Sequence, residues 1–160
     1  MYFIIIRGPA GVGKTTIANH LTKKLHAYHL SFDKIMSKKK LDIIKGSGIP
    51  SKNFIKANEI ALNKIKNIKK KVVIFDGCFY RKRQLTHLLK NLHGECYIFS
   101  LKAPVKECII RNKIRKGDMS KKAIHDVYKL TSKEDHGTII NTSRKTIDRI
   151  VKEIITNLSN

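Results

Sequence analysis

The residues Gly8-Pro9-Ala10-Gly11-Val12-Gly13-Lys14-Thr15 carry the spacing Gly-x-x-x-x-Gly-Lys-Thr, and Thr16 follows directly. Residue types in this order suit one task, holding a polyphosphate. The glycines let backbone N–H groups turn inward around an anion, and the start of a helix adds partial positive charge to the same concavity. Lys14 would reach the β- and γ-phosphates, and the Thr15 hydroxyl would be a ligand of the Mg²⁺ that bridges them. The expected nucleotide-binding set is Gly8, Ala10, Gly11, Val12, Gly13, Lys14, Thr15 and Thr16, with ATP and Mg²⁺ as the cofactors.

Further residues bear on what is done with the phosphate. Asp76 ends the apolar stretch Val72, Val73, Ile74 and Phe75, as a metal-binding strand-end carboxylate does; the alternative is a turn cap. Gly77 and Cys78 follow, where a motor-type ATPase would carry a glutamate to activate water. The guanine-specificity pattern Asn-Lys-x-Asp comes nearest at Asn112-Lys113-Ile114-Arg115, where an arginine replaces the acid. Both absences favour transfer over hydrolysis. Asp33 is the second informative acid, suited to accept the proton of an acceptor hydroxyl or to orient it. Its alternative is a surface salt bridge to Lys34 or Lys38. Arg111 and Arg115, four residues apart on one helix face and followed by Gly117-Asp118, would form a lid that neutralises charge on the transferring group and excludes water. Arg81 and Arg83 would hold the acceptor, unless they are simply solvated cations.

These groups need elements to position them. Tyr2 to Arg7 is nearly all apolar, which suits a strand buried on both faces of a parallel sheet. Ile17, Ala18, Leu21 and Leu25 then recur at helical spacing. Residues 28–32 read as a second strand stopped at Asp33. A Lys-rich segment and the break Gly46-Ser47-Gly48-Ile49-Pro50 precede a long helix whose face is Phe54, Ala57, Ala61, Ile65 and Ile68. A strand over Val72 to Phe75, a helix marked by Leu85, Leu88, Leu89 and Leu92, and a strand over 96–101 follow. A helix over 104–116 begins with Pro104 in its first turn and is capped by Gly117. A short strand over 138–141 and a helix carrying Ile147, Ile150, Val151, Ile154, Ile155 and Leu158 close the chain. The first helix carries the chain about 18 Å from the phosphate loop, and the second strand returns it by a similar distance. Asp33 is therefore expected on the carboxyl edge of the sheet, beside Lys14.

Strands alternating with helices imply right-handed crossovers. The expected fold class is α/β, a three-layer sandwich with a five-stranded parallel sheet, a P-loop after the first strand and a small helical lid. One domain over 1–160 is expected, with the lid at about 111–130. Cys78, Cys96 and Cys108 lack metal-ligand spacing and read as reduced, packed thiols of a cytoplasmic protein. No basic leader or cleavage site precedes the loop, and no apolar run approaches the ~20 residues of a membrane span. Lys and Arg total 34 against 12 Asp and Glu, a formal charge of +22. That excess suits a polyanionic partner; the alternative source is an AT-rich genome, which enriches Lys, Ile and Asn together.

The assembled residues resemble the P-loop kinases of the nucleoside monophosphate kinase fold, nearest to polynucleotide 5′-hydroxyl kinases, zeta toxins and related small kinases. The matching pieces are Gly8 to Thr16, Ser31-Phe32-Asp33, Val72 to Gly77 with Arg81 and Arg83 behind it, and Cys108 to Arg115. The resemblance implies that Asp33 serves as general base or acceptor ligand and that Arg111 or Arg115 contacts ATP. Three residues after the aspartate, where polynucleotide kinases carry an acceptor-binding arginine, stands Met36, with Lys34 and Lys38 nearby. The resulting expectation is an ATP-dependent phosphotransferase acting on an alcohol group, with an RNA or DNA end as acceptor. A small-molecule kinase, acting on a nucleoside, nucleotide or other metabolite, is the alternative. A rival of another class is a nucleic-acid-binding module that ATP gates without group transfer.

Overall fold

The apolar run at the N-terminus is the middle strand of the molecule. In the computed structural model, which describes residues 1–45, 48–117 and 119–158, β1 (Tyr2–Arg7) lies between β3 (Val72–Gly77) and β4 (Glu95–Lys102). The edges are β2 (Tyr28–Ser31) beside β3 and β5 (Thr138–Asn141) beside β4, so the order is β2-β3-β1-β4-β5 with every pair parallel. Ile4, Ile5 and Ile6 are fully buried, because helices cover both faces of a parallel sheet. Each contributes about 1.5–3 kcal/mol through burial. The expected five-stranded parallel α/β sandwich is the fold observed.

The helices are α1 (Lys14–Lys24), α2 (Phe32–Lys38), α3 (Ser51–Ile65), α4 (Lys82–Lys90), α5 (Val105–Ile114), α6 (Lys121–Thr131) and α7 (Ile147–Thr156). The chain leaves β1 for β2 and β3 on one side of it, and then crosses from β3 to β4 and β5 on the other. The loop after β1 therefore sits where the strand order reverses, the place at which open α/β sheets take ligands.

Three expectations are corrected. The second strand does not reach Phe32: it ends at Ser31, and Phe32 begins α2, so Asp33 stands in the first turn of a helix. Phe32, Ile35 and Met36 are all buried by that helix, and this helical spacing outweighs the lysines that follow. The helix expected over 104–116 is α5, with Pro104 as its N-cap rather than in its first turn. At its end Lys116, not Gly117, takes the left-handed conformation, φ 53°. Gly117 N–H donates to Asn112 O and Lys116 N–H to Lys113 O, the paired bonds of a Schellman ending. The expected lid segment contains a further helix, α6, capped by the Ser120 side chain, which accepts from Ala123 N–H at 3.1 Å. Gly46, Ser47 and Asp118, which belonged to the expected break and lid, lie outside the described residues. No helix among the described residues is long and apolar enough to cross a membrane. The three cysteines are free.

Candidate active site

The loop from Gly8 to Gly13 leaves β1 with backbone angles that only glycine adopts readily. Gly11 has φ +81°, and a Cβ there would lie 2.2 Å from the Cys108 carbonyl oxygen of α5. Gly13, φ +104°, caps the start of α1. The loop is thus pressed against α5 and curled over the first turn of α1, whose N–H groups it leaves free for an anion. From α5, Arg111 braces the loop from behind: Nη1 donates to Val12 O at 3.2 Å and to Thr142 Oγ1 at 3.0 Å, and Nη2 donates to Thr142 O and to Glu107 Oε2, both at 3.0 Å.

In front of the loop lies a cavity of about 480 Å³, within the range of small-molecule sites. Ala10, Gly11, Gly13, Lys14 and Thr15 form one wall; Asp33 and Met36 of α2 form the next. Cys78 and Tyr80, after β3, and Val127 and Leu130 of α6 make an apolar floor. Arg115, at the end of α5, overhangs it.

Beneath Lys14 sits a carboxylate held on both sides. Asp76 is fully buried; Thr15 Oγ1 donates to Oδ2 at 2.5 Å and His29 Nε2–H donates to Oδ1 at 2.7 Å. Burial pushes the Asp76 carboxyl up, but the hydrogen bonds from His29 and Thr15 outweigh it and leave the group below its ordinary range. Two hard oxygen donors, one of them a fixed anion, fit Mg²⁺, which takes few protein ligands and completes its shell with phosphate and water. Among the described residues no cluster of three or more His, Cys, Asp or Glu is placed to hold a metal ion.

Lys14 is buried, with Nζ donating to Pro9 O at 3.0 Å. Burial lowers its affinity for the proton, yet the carboxylates of Asp33 and Asp76 beside it hold the proton on, so the ammonium is kept. Burial pushes the Cys78 thiol up to about 11 despite the neighbouring Lys14, so the sulfur stays neutral. Asp33 is solvent-accessible, yet it stands on the wall of a deep cleft. Desolvation by the surrounding protein, with Asp76 adding to it, raises its carboxyl above the ordinary range, against the pull of Lys14 and Arg115.

The structure therefore brings Lys14, Thr15, Asp33 and Arg115 to one cavity, with Asp76 directly behind Thr15. Gly8 and Val12 are buried behind the loop, and Thr16 is exposed on α1. Arg111 is not among the residues lining the cavity: it braces the loop against Thr142, just after β5, and does not join Arg115 there. Arg81 and Arg83 are exposed at the start of α4 and are not among the residues lining the cavity. Among the described residues Asp33 makes no ion pair, so the alternative bridge to Lys34 or Lys38 is not formed. His29, Tyr80 and Asp126, which also line or support the site, were not singled out from the sequence. For Asp126 the spacing of Ile124, Val127 and Leu130 behind Ser120 would have marked the helix. Nothing local marks His29.

A family model described as an AAA domain matches residues 4–136. A protein of Pyrococcus furiosus, provisionally named an adenylate kinase, is 28% identical over 160 residues, covering 95% of this chain and 81% of its own. Among solved structures, a gluconokinase from Sinorhizobium meliloti 1021 superposes with a TM-score of 0.76 at 12% identity, covering 98% of this chain and 90% of its own. The APS kinase of Mycobacterium tuberculosis, in complex with AMPPNP and APS, does so at 0.73 and 16% identity over 99% and 98% of the two chains. A shikimate kinase from Acinetobacter baumannii, in complex with shikimate, gives 0.68 at 22% identity over 98% and 92%. At these identities the likeness is one of fold, a P-loop kinase fold.

Proposed function

The chain belongs to this AAA-domain family, and from that premise we propose that it is an ATP- and Mg²⁺-dependent kinase that phosphorylates a hydroxyl group of a small molecule. The observation that carries the reading is the convergence of Lys14, Thr15 and Asp33 on one cavity of about 480 Å³, with the Thr15–Asp76 pair at its base. A walled cavity of that size suits a small acceptor better than a nucleic-acid end, which needs an open, cation-lined groove. The kinase names carried by the similar proteins support the same preference. The polynucleotide acceptor, expected from charge and resemblance, gains no such support, and Met36 lines the cavity where the acceptor arginine of polynucleotide kinases would stand.

In this reading the loop amides and Lys14 hold the β- and γ-phosphates, and Thr15 with Asp76 would hold the metal, which would supply neutralisation of phosphate charge. Asp33 orients the acceptor hydroxyl. Its oxygen bonds to the γ-phosphorus as the bond from that phosphorus to the β–γ bridging oxygen breaks. The hydroxyl proton passes to the Asp33 carboxylate and then to solvent, and ADP leaves. Arg115 and α6 shield the transfer from water. Incubation of the protein with Mg²⁺, γ-labelled ATP and separate panels of small hydroxyl compounds and RNA 5′ ends tests it. Label is expected on a small molecule; label on RNA ends alone, or release as inorganic phosphate alone, overturns the reading.

A further inference from the structure

The cavity's walls carry charge in a pattern opposite to that of the whole chain. Asp33, Asp42 and Asp126 line it, three of the chain's 12 acids, whereas Lys14, Arg115 and Lys122 are three of its 34 cations. All three cations stand on the phosphate-loop and lid sides. Of the described residues that line the cavity, those from α2 and the segment leading to α3 include Asp33 and Asp42 and no cation; the lysines of that stretch, Lys34, Lys38, Lys39, Lys40 and Lys45, are not among the lining residues. Across from it α6 adds Asp126, one turn beyond Lys122.

Beneath these carboxylates the surface is apolar, and the Tyr80 ring is part of it. Tyr80 is held edge-on against Phe54, centroids 5.0 Å apart, and burial pushes its hydroxyl up, so the ring stays neutral. Leu130 and Tyr80 close on Gly48, where an added Cβ would lie 2.8 Å from Leu130 Cδ1. The floor therefore admits a ring face, and the rim accepts hydrogen bonds or positive charge. An acceptor that already bears a phosphomonoester would bring about two negative charges against this rim, with no guanidinium on that side to meet them.

Resting on the kinase reading, we infer that the acceptor is a hydroxyl compound that carries no phosphate, is neutral or amine-bearing, and has a flat or ring-shaped apolar face. The carboxylates accept its hydroxyl or ammonium protons, and Tyr80, Met36 and Leu130 take its apolar face. Rejection of phosphorylated analogues then arises from like-charge repulsion rather than from lack of room.

The test compares matched pairs as phosphate acceptors: adenosine with AMP, guanosine with GMP, cytidine with CMP, uridine with UMP, and glucosamine with glucosamine 6-phosphate. Binding of Mg²⁺–ATP is first established by calorimetry, so that failure of the kinase reading is recognised separately, as absence of nucleotide uptake. In at least one pair the unphosphorylated member is expected to react with kcat/KM about tenfold or more above its partner. If monophosphates lead in the reactive pairs, or no member of any pair reacts although Mg²⁺–ATP binds, the inference fails. The double variant Asp42→Asn/Asp126→Asn, at exposed positions whose replacement leaves folding intact, is expected to shrink that discrimination about tenfold. An unchanged ratio would remove the carboxylates from the explanation and overturn it.

Discussion

Lys14 and Asp33 face the same cavity with opposite demands on their protons. The ammonium is surrounded by acids that keep it charged, so its removal leaves the phosphate loop without its only lining cation from α1. Lys14→Ala is expected to weaken Mg²⁺–ATP binding about a hundredfold, read by calorimetry. Asp33, raised by its cleft, must lose its proton before it can take one from an acceptor. With ATP saturating, kcat/KM for the acceptor therefore climbs with pH through a transition above the ordinary carboxylate range. Asp33→Asn removes that limb and lowers kcat about a hundredfold while ATP binding persists. Asp76 behaves in the opposite sense. Its folded-state pKa is depressed, so its contribution to stability is present above the unfolded value and disappears as pH falls through the folded one. In chelator, Asp76→Asn is expected to cost about 1–3 kcal/mol at neutral pH, with the gap to wild type closing in acid; denaturant titrations across pH measure it. Lys14, Thr15, Asp33 and Asp76 were legible in the sequence because each is tied to a local pattern, a glycine loop or the end of an apolar strand. His29 was not, because its partner is fixed by strand order: β2 lies beside β3, with Ser31 level with Asp76, and nothing within residues 28–31 announces that neighbour.

At the level of elements, the strands were readable because burial on both faces makes them short apolar runs. The α2 and lid helices were less so. Phe32 completes an apolar strand pattern and also opens a helical one, and the choice is made by the sheet, whose β3 ends at Gly77. There an added Cβ would meet Phe32 Cβ at 2.9 Å, which shows how closely α2 sits over the strand end. Arg111 and Arg115 share a helical spacing, but α5 lies between the phosphate loop and the cavity rim, and its two arginines serve different neighbours. The fit of α5 against the loop is tight enough to test. Gly11→Ala would combine a left-handed backbone with a Cβ 2.2 Å from a carbonyl oxygen. It is expected to lower stability by about 1–3 kcal/mol and to abolish nucleotide binding, read by thermal melts with and without Mg²⁺–ATP.

Over the whole molecule the charge is the dominant quantity, 34 cations against 12 acids. The described ion pairs engage only a few of those cations, Lys102 with Asp135 and Lys145 with Glu153 among them. The remainder repel one another across the surface, which destabilises the compact state. Screening relieves this: the thermal midpoint is expected to rise by several degrees between about 10 mM and about 500 mM salt, and to rise further in sulfate than in chloride. A fall in differential scanning calorimetry would contradict it. The same excess drew the sequence reading toward nucleic acid, because a sum over the chain has no position; the acids gathered at the cavity became visible only once the fold brought residues 33, 42 and 126 together.

Arg7, the residue just before the phosphate loop, is 2% exposed. Its guanidinium donates to Thr131 O at 2.8 Å and Glu134 O at 3.0 Å, at the end of α6, and to Phe79 O at 3.3 Å and Ser100 Oγ at 3.1 Å. The helix whose Val127 and Leu130 line the cavity is thus pinned at its C-terminal end to the strand that leads into the phosphate loop. That guanidinium fastens α6 at its Thr131 end alone, which leaves the opposite end, where Lys122 lines the cavity, outside its reach.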